Sequence, residues 1–338
     1  MFDPSEVTYA VYAFDESGRQ HNIKNFVTNL GWEQNPGELA TRISFTVRDK
    51  VEDETIKKLS KVIKPGCLVT VTAKAGNTKG TCARGYVTTW NPKDNSKRQV
   101  LKVVAYDELF NLQKSQHQIY FSSGADTKTV IQKVFSVGGV PMGSYDGPSV
   151  AHEKLLYDTE SLAEVIYSVL DDAVKKGGSS AFLRAKDGKV SVLKWGSNKD
   201  VWVFKGKNAL EMDYKISTDD MVTRVIVLGK ADDEGRKPLE ATVNGETKYG
   251  LRQKIYNRSE DESLADAQKA AQEIWDEEGK PEEDIRLTAP DIPFLQKGDL
   301  VYADKVGYIN GYYFVKGVAH NADNYEMTLQ LTKKESED

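Results

Sequence analysis

The chain has 338 residues, of which 39% are hydrophobic and 29% charged, with a formal net charge of -5. That length holds two or three domains, and the composition is too apolar for a disordered chain and too polar for a membrane protein. The mildly acidic balance lacks the basic footprint a nucleic-acid partner requires, and no run of about 18 apolar residues offers a membrane span.

The N-terminus, with Asp3 and Glu6, has no apolar signal core, so a cytoplasmic origin is expected. From there the first third reads as β-structure. Residues 8–14, 40–47, 68–75, 81–90 and 98–106 are rich in Val, Thr, Tyr and Ile with partial two-residue alternation. Gly76-Asn77 and the run from Asn91 through Pro92, Lys93 and Asp94 to Asn95 mark the turns of a meander. Ile56, Leu59 and Ile63 have helical spacing, and Lys57, Lys58, Lys61 and Lys64 line the other side. Such a face is usually just solvated; a docking patch for an acidic protein surface is the alternative. Five antiparallel strands and one helix predict a small barrel or sandwich.

Beyond Asn111 the pattern changes. Val130, Ile131, Val134 and Phe135 fit one helix, stopped by Gly138-Gly139; Leu162, Val165, Ile166, Val169, Leu170 and Ala173 form the stripe of a second. Thr159 or Ser161 caps its start, Lys175 and Lys176 suit its C-terminal dipole, and Gly177-Gly178 ends it. An Asp187-Gly188 turn then joins two short strands, so 111–206 reads as a small α/β module. Strands return at 209–216 and 222–228. A polar stretch follows, then a helix over Leu264, Ala267, Ala271, Ile274 and Trp275, with Ser259 and Glu262 at capping-box spacing. The last strands are expected at 285–288, 300–303, 312–319 and 325–331.

One internal echo organises these elements. Lys64-Pro65-Gly66-Cys67-Leu68-Val69 resembles Gln296-Lys297-Gly298-Asp299-Leu300-Val301, and each is followed by an aromatic strand, an Asn/Asp turn and another strand. The turns correspond as Asp94-Asn95 against Asp323-Asn324. The echo predicts a duplicated β-domain in which 68–75 matches 300–303 and 86–106 matches 312–331.

The search for chemistry yields no catalytic, cofactor-binding or metal-binding residue. His152-Glu153 begins like a zincin helix, but Leu156 stands where the second metal-binding His must be. Ser179-Ser180 lacks a nucleophile elbow, and no phosphate-cradling loop or alternating calcium-binding carboxylates occur. Glu277, Glu278, Glu282, Glu283 and Asp284 read as a solvated acidic loop rather than the two placed carboxylates of a glycosidase. Cys67 and Cys82 flank one hairpin out of register, so they are free, buried thiols rather than a disulfide or a nucleophile. His21, His117 and His320 have no carboxylate at a diagnostic spacing. Trp32, Trp90, Trp195, Trp202 and Trp275 give thin support to a carbohydrate-binding module, since aromatics in β-domains are mostly core.

The segment from Val103 through Val104, Ala105, Tyr106, Asp107 and Glu108 to Leu109 resembles the hub proteins of contractile phage tails. More narrowly, it resembles the hubs of defective prophages and phage-tail-like bacteriocins in Gram-positive bacteria. Leu30-Gly31-Trp32, Lys64-Pro65-Gly66, Met221-Val222-Thr223-Arg224-Val225, Gly298-Asp299 and Gly311-Tyr312-Tyr313-Phe314-Val315 extend the resemblance over nearly the whole chain. The resemblance implies an α+β, mainly β fold. Two tail-tube-like antiparallel β-barrels, 1–110 and 207–338, flank the α/β module 111–206, with a helical segment inserted near 231–281 of the second barrel. It further implies a non-enzymatic homotrimer, without cofactor or membrane insertion, that joins a six-fold tail tube to a three-fold spike. Other baseplate proteins would contact it, and tape-measure protein or DNA would pass through its lumen. Its place would be the tail baseplate, assembled in the bacterial cytoplasm. A cell-wall hydrolase or peptidase of the same particle is the alternative.

Overall fold

The computed structural model describes residues 6–49, 59, 62–95 and 98–334. The first β-region comprises β1 (Thr8–Phe14), β2 (Gln20–Asn22), β3 (Val27–Gln34), β4 (Arg42–Asp49), β5 (Leu68–Ala75), β6 (Thr78–Asn95) and β7 (Arg98–Tyr106). Alternation along these strands sends Tyr9, Val11, Ile43, Phe45, Val69, Val71, Val87, Val103 and Ala105 into one core. Strand β3 was not expected, because its only fully buried apolar residues, Leu30 and Trp32, flank a glycine. Asn91 to Asn95, expected as a turn, instead continue β6 opposite β7, with Pro92 paired to Leu101. Proline is tolerated there because its missing N–H can face away from β7, on an outer edge. Most of the expected helix around Leu59 lies outside the described residues, as do Lys57, Lys58 and Lys61; Lys64 is exposed, with Glu16 3.3 Å away.

The α/β module follows as α1 (Leu109–Lys114), β8 (Ile119–Phe121), α2 (Thr127–Val137), β9 (Met142–Tyr145), β10 (Leu155–Tyr157), α3 (Leu162–Lys175), β11 (Ala181–Lys186) and β12 (Lys189–Lys194). Asp126 caps α2 by accepting from Thr129 N at 2.8 Å, and Ser161 with Glu164 closes a capping box on α3. The predicted stripes of α2 and α3 pack on each other in a separate core. Asp187 and Gly188, with φ of 51° and 80°, make the tight β11–β12 turn.

Next come β13 (Trp202–Lys205) and β14 (Glu211–Ser217). Although β13 falls inside the expected α/β module, it pairs in parallel with a strand of the second β-region. Residues 213–285, which include the expected helical segment near 231–281, form a compact unit of their own. It holds β15 (Arg224–Leu228), β16 (Leu239–Asn244), β17 (Gln253–Asn257) and α4 (Leu264–Glu278). Its sheet has the order β16-β15-β17, and Ala267 and Ala271 of α4 pack on Val225 and Val227. Strand 222–228, expected to extend the second β-region, belongs here. Ser263, rather than Ser259, caps α4, accepting from Asp266 N. Ser259 and Glu262 do interact, within the preceding turn.

The second β-region closes with β18 (Glu282–Pro290), β19 (Leu300–Val306), β20 (Ile309–Asn321) and β21 (Glu326–Lys333). The fold is mainly β, as expected, but the two regions are not separate closed barrels among the described residues. They share one sheet with the order β14-β18-β21-β20-β3-β4-β7-β6-β5-β1-β2, and β13 pairs with β19, which pairs with β20.

Within that sheet the order β3-β4-β7-β6-β5-β1 is repeated as β14-β18-β21-β20-β19-β13. The match reaches single hydrogen bonds. Gly66 N donates to Val87 O at 2.8 Å and Val87 N to Cys67 O at 2.9 Å; Gly298 N donates to Val315 O and Val315 N to Asp299 O, both at 2.8 Å. Both long strands bulge one residue later, at Thr88 and at Lys316. Tyr86 therefore matches Phe314, two residues beyond the expected Tyr312, and the lengthened first hairpin puts Asp94-Asn95 in a strand rather than a turn. One strand departs from the repeat: β1 runs antiparallel to β5, whereas β13 runs parallel to β19.

Gly66 and Gly298 occupy matched left-handed turns, with φ of 86° and 90°. A Cβ at Gly66 would meet nothing within 4 Å, whereas at Gly298 it would lie 2.1 Å from the Phe182 ring. Gly66→Ala should therefore cost roughly 1–2 kcal/mol of backbone strain, and Gly298→Ala roughly 3 kcal/mol or more. Urea unfolding of the two variants checks this; equal losses would contradict the packing difference.

Candidate assembly interface

The two repeats meet where β3 lies antiparallel to the C-terminal half of β20, pairing Gln34 with Val318, Glu33 with Ala319, Trp32 with His320 and Gly31 with Asn321. Gly31 permits the approach, since a Cβ there would lie 2.8 Å from the His320 carbonyl oxygen. Behind the ladder is a buried polar cluster drawn from both repeats. His320 stacks on Trp32 with ring centroids 4.5 Å apart; its Nδ1 lies 2.6 Å from Asp291 Oδ1 and its Nε2 3.0 Å from the Leu295 carbonyl. Tyr9 donates its hydroxyl to the other Asp291 oxygen. A carbonyl only accepts, so His320 Nε2 carries a proton, and a second proton is shared between Nδ1 and Asp291. The pair is thus neutral overall and fully hydrogen-bonded, the condition under which buried charge is tolerated. Burial beside Asp291 pushes the Tyr9 hydroxyl far above the ordinary tyrosine range, which keeps it a donor.

Two further ties flank the cluster. Asp323 accepts from Asn29 N at 2.6 Å and Leu30 N at 3.3 Å, fixing Asn29 at a positive φ of 53°. Lys297 donates to the carbonyls of Asn35 and Glu38 at 3.1 and 2.9 Å, and burial pulls its amine down to about 8. The α/β module joins the same corner. Arg184 reaches Asp299 and the Lys297 carbonyl, each at 2.7 Å, and Arg84 pairs with Glu108. Asp107 accepts from Thr41 N and Leu109 N at 2.9 and 3.0 Å, yet burial raises its carboxyl to about 6. A cavity of about 200 Å³ lies among Gln34, Arg84, Asp107, Arg184 and Gln296.

The residues considered for chemistry are dispersed. Cys67 and Cys82 are free and buried, and burial pushes the Cys82 thiol far up, away from nucleophilic use. Three of the four histidines touch carboxylates. Their partners lie 6, 20 and 29 residues away, at separations set by the fold: His21 with Asp15, His152 with Asp172 and His320 with Asp291. The second of these completes a hydroxyl–imidazole–carboxylate line that the sequence did not reveal. Thr127 Oγ1 is 2.9 Å from His152 Nε2, and His152 Nδ1 is 2.6 Å from Asp172. Thr127 is 0% and His152 2% exposed, so no substrate reaches the hydroxyl, which also bonds the Val150 backbone. The line acts as a clip between the start of α2, the 150–152 segment and α3. No group of three or more His, Cys, Asp or Glu able to hold a metal occurs among the described residues. Ser179 and Ser180 precede β11, Glu277 and Glu278 end α4, and Glu282, Glu283 and Asp284 begin β18. Trp32, Trp195 and Trp275 serve packing: Trp195 touches Phe182 and Phe314, and Trp275 lies on the core of the 213–285 unit. No helix among the described residues is long and apolar enough to cross a membrane.

A family model described as YQBQ-like matches residues 31–334. The phage-like element PBSX protein XkdQ of Bacillus subtilis strain 168 is 26% identical over 222 residues, 65% of this chain and 67% of that protein. Among solved structures, the 43 kDa tail protein of prophage MuSo2 from Shewanella oneidensis superposes with a TM-score of 0.70 at 14% identity, covering 96% of this chain and 98% of that one. The E. coli c3393 protein, a type VI secretion component described as similar to T4 tail proteins gp27 and gp5, reaches a TM-score of 0.55 at 10% identity. It covers 99% of this chain and 77% of its own. At such identities these likenesses bear on fold alone.

His320→Phe keeps the stacking on Trp32 but strands Asp291, and should cost roughly 3–5 kcal/mol. In the His320→Phe/Asp291→Asn double variant the loss should fall well short of the sum of the single losses, measured as a double-mutant cycle in urea. Additive losses would deny the coupling. For Asp107, the folded carboxyl binds its proton more tightly than the ordinary value of 3.8 allows. Its contribution to stability is therefore fully present below about pH 4 and is lost as pH rises through about 6. Asp107→Asn should remove a drop of up to about 3 kcal/mol across that window, and an unchanged pH profile would contradict the assignment.

Proposed function

We propose, from the premise that the chain belongs to the YQBQ-like family, that it is a structural hub of a contractile phage-tail baseplate or tail-like particle. A phage-like-element relative and a prophage tail protein of the same fold support a structural role in a phage tail. The finer reading is a homotrimeric adaptor between a six-fold tail tube and a three-fold spike. Tube protein, spike and other baseplate proteins are its partners, and tape-measure protein or DNA passes through the lumen. The particle's tail tip, assembled in the bacterial cytoplasm, is its place.

The repeated strand order carries this reading. Three chains with two matched sets of strands each present six similar sets, which is what a six-fold ring requires of a three-fold partner. The domain division that goes with it is 1–110 and 207–338 as the two tube-like parts and 111–206 as the module between them. The insertion is widened to the 213–285 unit. The work is geometric and uses no cofactor. The most enzyme-like line of side chains, Thr127, His152 and Asp172, has its hydroxyl sealed from substrate, which favours the structural reading.

With 29% charged residues, the isolated chain should associate weakly. Light scattering is expected to find single chains at nanomolar concentration and trimers only at high concentration or with tube or spike protein added. A stable trimer at nanomolar concentration without partners would contradict weak association. Purified peptidoglycan should remain undegraded; turnover abolished by one Asp or Glu substitution would overturn the structural reading.

A further inference from the structure

A cavity of about 200 Å³ opens where the β3–β4 loop meets α3, β11 and strand β20. Leu39, Leu170, Phe182, Leu183 and Trp195 line it, together with Lys297 and Lys316. Its aromatic walls are held in place. The Phe182 ring lies against Gly298, and Trp195 packs between Phe182 and Phe314 with ring centroids 5.1 and 6.0 Å away. A preformed apolar hollow with a few convergent polar groups is the usual form of a binding pocket. The cations of this one are unbalanced. Lys297 Nζ commits two of its three protons to the Asn35 and Glu38 carbonyls, and neither Lys297 nor Lys316 pairs with a carboxylate among the described residues. The Glu38 carboxylate is felt at Lys297 but takes the Asn35 side-chain amide at 3.1 Å, and Lys316 opposes it. Burial outweighs both and lowers the amine, so an incoming anion would supply the charge that two neutral carbonyls do not.

We propose that this cavity takes one large apolar side chain from an acidic segment of a partner protein, with a neighbouring carboxylate of that segment lying against Lys297 and Lys316. The surroundings favour a peptide over a small molecule. A second cavity, of about 470 Å³, shares Gly37, Glu38 and Tyr167 with the first and leads to the stacked rings of Tyr106 and Phe110. Lys114 Nζ lies 5.5 Å from the centre of the Phe110 ring, a third cation on the same path. The acidic group there, Glu164, is already committed to Ser161 N at 2.7 Å in the capping box of α3. An apolar hollow, an aromatic floor and lysines along both suit an extended acidic chain with apolar anchors. The site goes beyond the hub reading and does not depend on it.

Fluorine NMR of the full chain labelled with fluorotryptophan tests it, with the Trp195 signal identified by its loss in Trp195→Phe. The blocked tetrapeptides Gly-Phe-Asp-Gly and Gly-Asp-Phe-Gly are titrated to millimolar concentration. At least one should move the Trp195 signal, and its affinity should fall about tenfold when Asn replaces Asp. Ser in place of Phe should abolish the shift. Ala181→Leu, which fills the cavity from its wall, should abolish it as well while leaving the signals of the other tryptophans in place. Lys316→Ser should weaken binding about threefold. Because Lys316 is exposed, that variant keeps the test open where Lys297→Met loosens the Asn35–Glu38 turn. A Trp195 signal that neither peptide moves would overturn the proposal, and so would equal binding of the Asp and Asn peptides. Neither result bears on the ring, which light scattering tests separately.

Discussion

A β-sheet edge carries a row of unpaired N–H and C=O groups, and a folded chain must cover it, blunt it or offer it to a partner. In this protein the ladder between β3 and β20 disposes of one edge from each repeat, and it does so over a buried His–Asp–Tyr cluster rather than an apolar one. The cluster is demanding. Every member needs its partner, because an orphaned carboxylate or imidazole in that setting costs more than the satisfied pair gains. That requirement ties Tyr9 and Trp32 from the first repeat to Asp291, Leu295 and His320 from the second, and so fixes the register between the two halves of the sheet. Asp323 on the Asn29 turn and Lys297 on the carbonyls of residues 35 and 38 hold the same register from either side.

Against this fixed sheet, variation is confined to the connections. The link from β3 to β4 is a short loop in the first repeat, whereas the matching link from β14 to β18 carries most of the compact unit 213–285. The link between the repeats carries the α/β module, with its own core and its own buried clip of Thr127, His152 and Asp172. Insertions are tolerated at such points because closing a longer loop costs little extra free energy, while the strands on either side keep their partners. The same economy explains why the chemistry-bearing side chains do not converge. Histidines and carboxylates here meet in pairs that fasten backbone segments, and the most enzyme-like of these lines is closed to substrate.

The strands with regular alternation were legible in the sequence. Residues 8–14, 68–75 and 98–106 form strands with those bounds, and the stripes of α2 and α3 pack as their spacing requires. The echo of Lys64-Pro65-Gly66 in Gln296-Lys297-Gly298 proved to be a real structural match because a left-handed glycine turn has few substitutes. Strand β3 was missed since a glycine and a bulge interrupt its apolar pattern. Strands β16 and β17 were missed because one of their faces is polar or exposed, and periodicity over five or six residues is weak. Asn91 to Asn95 read as a turn from composition alone, although an outer edge accepts proline and asparagine. The joint itself was out of reach. His320 and Asp291 are 29 residues apart and Tyr9 a further 282 from Asp291, so only the folded sheet brings them together.

The measurement that bears most directly on this account is an electron cryomicroscopy reconstruction of the assembled tail tip, made without imposed symmetry. The account predicts three copies of this chain in a ring whose inner wall contains six similar sets of strands, alternately the β3–β7 and the β14–β21 repeat. Six copies presenting only one repeat each, or three copies whose two repeats lie at different radii, would contradict it.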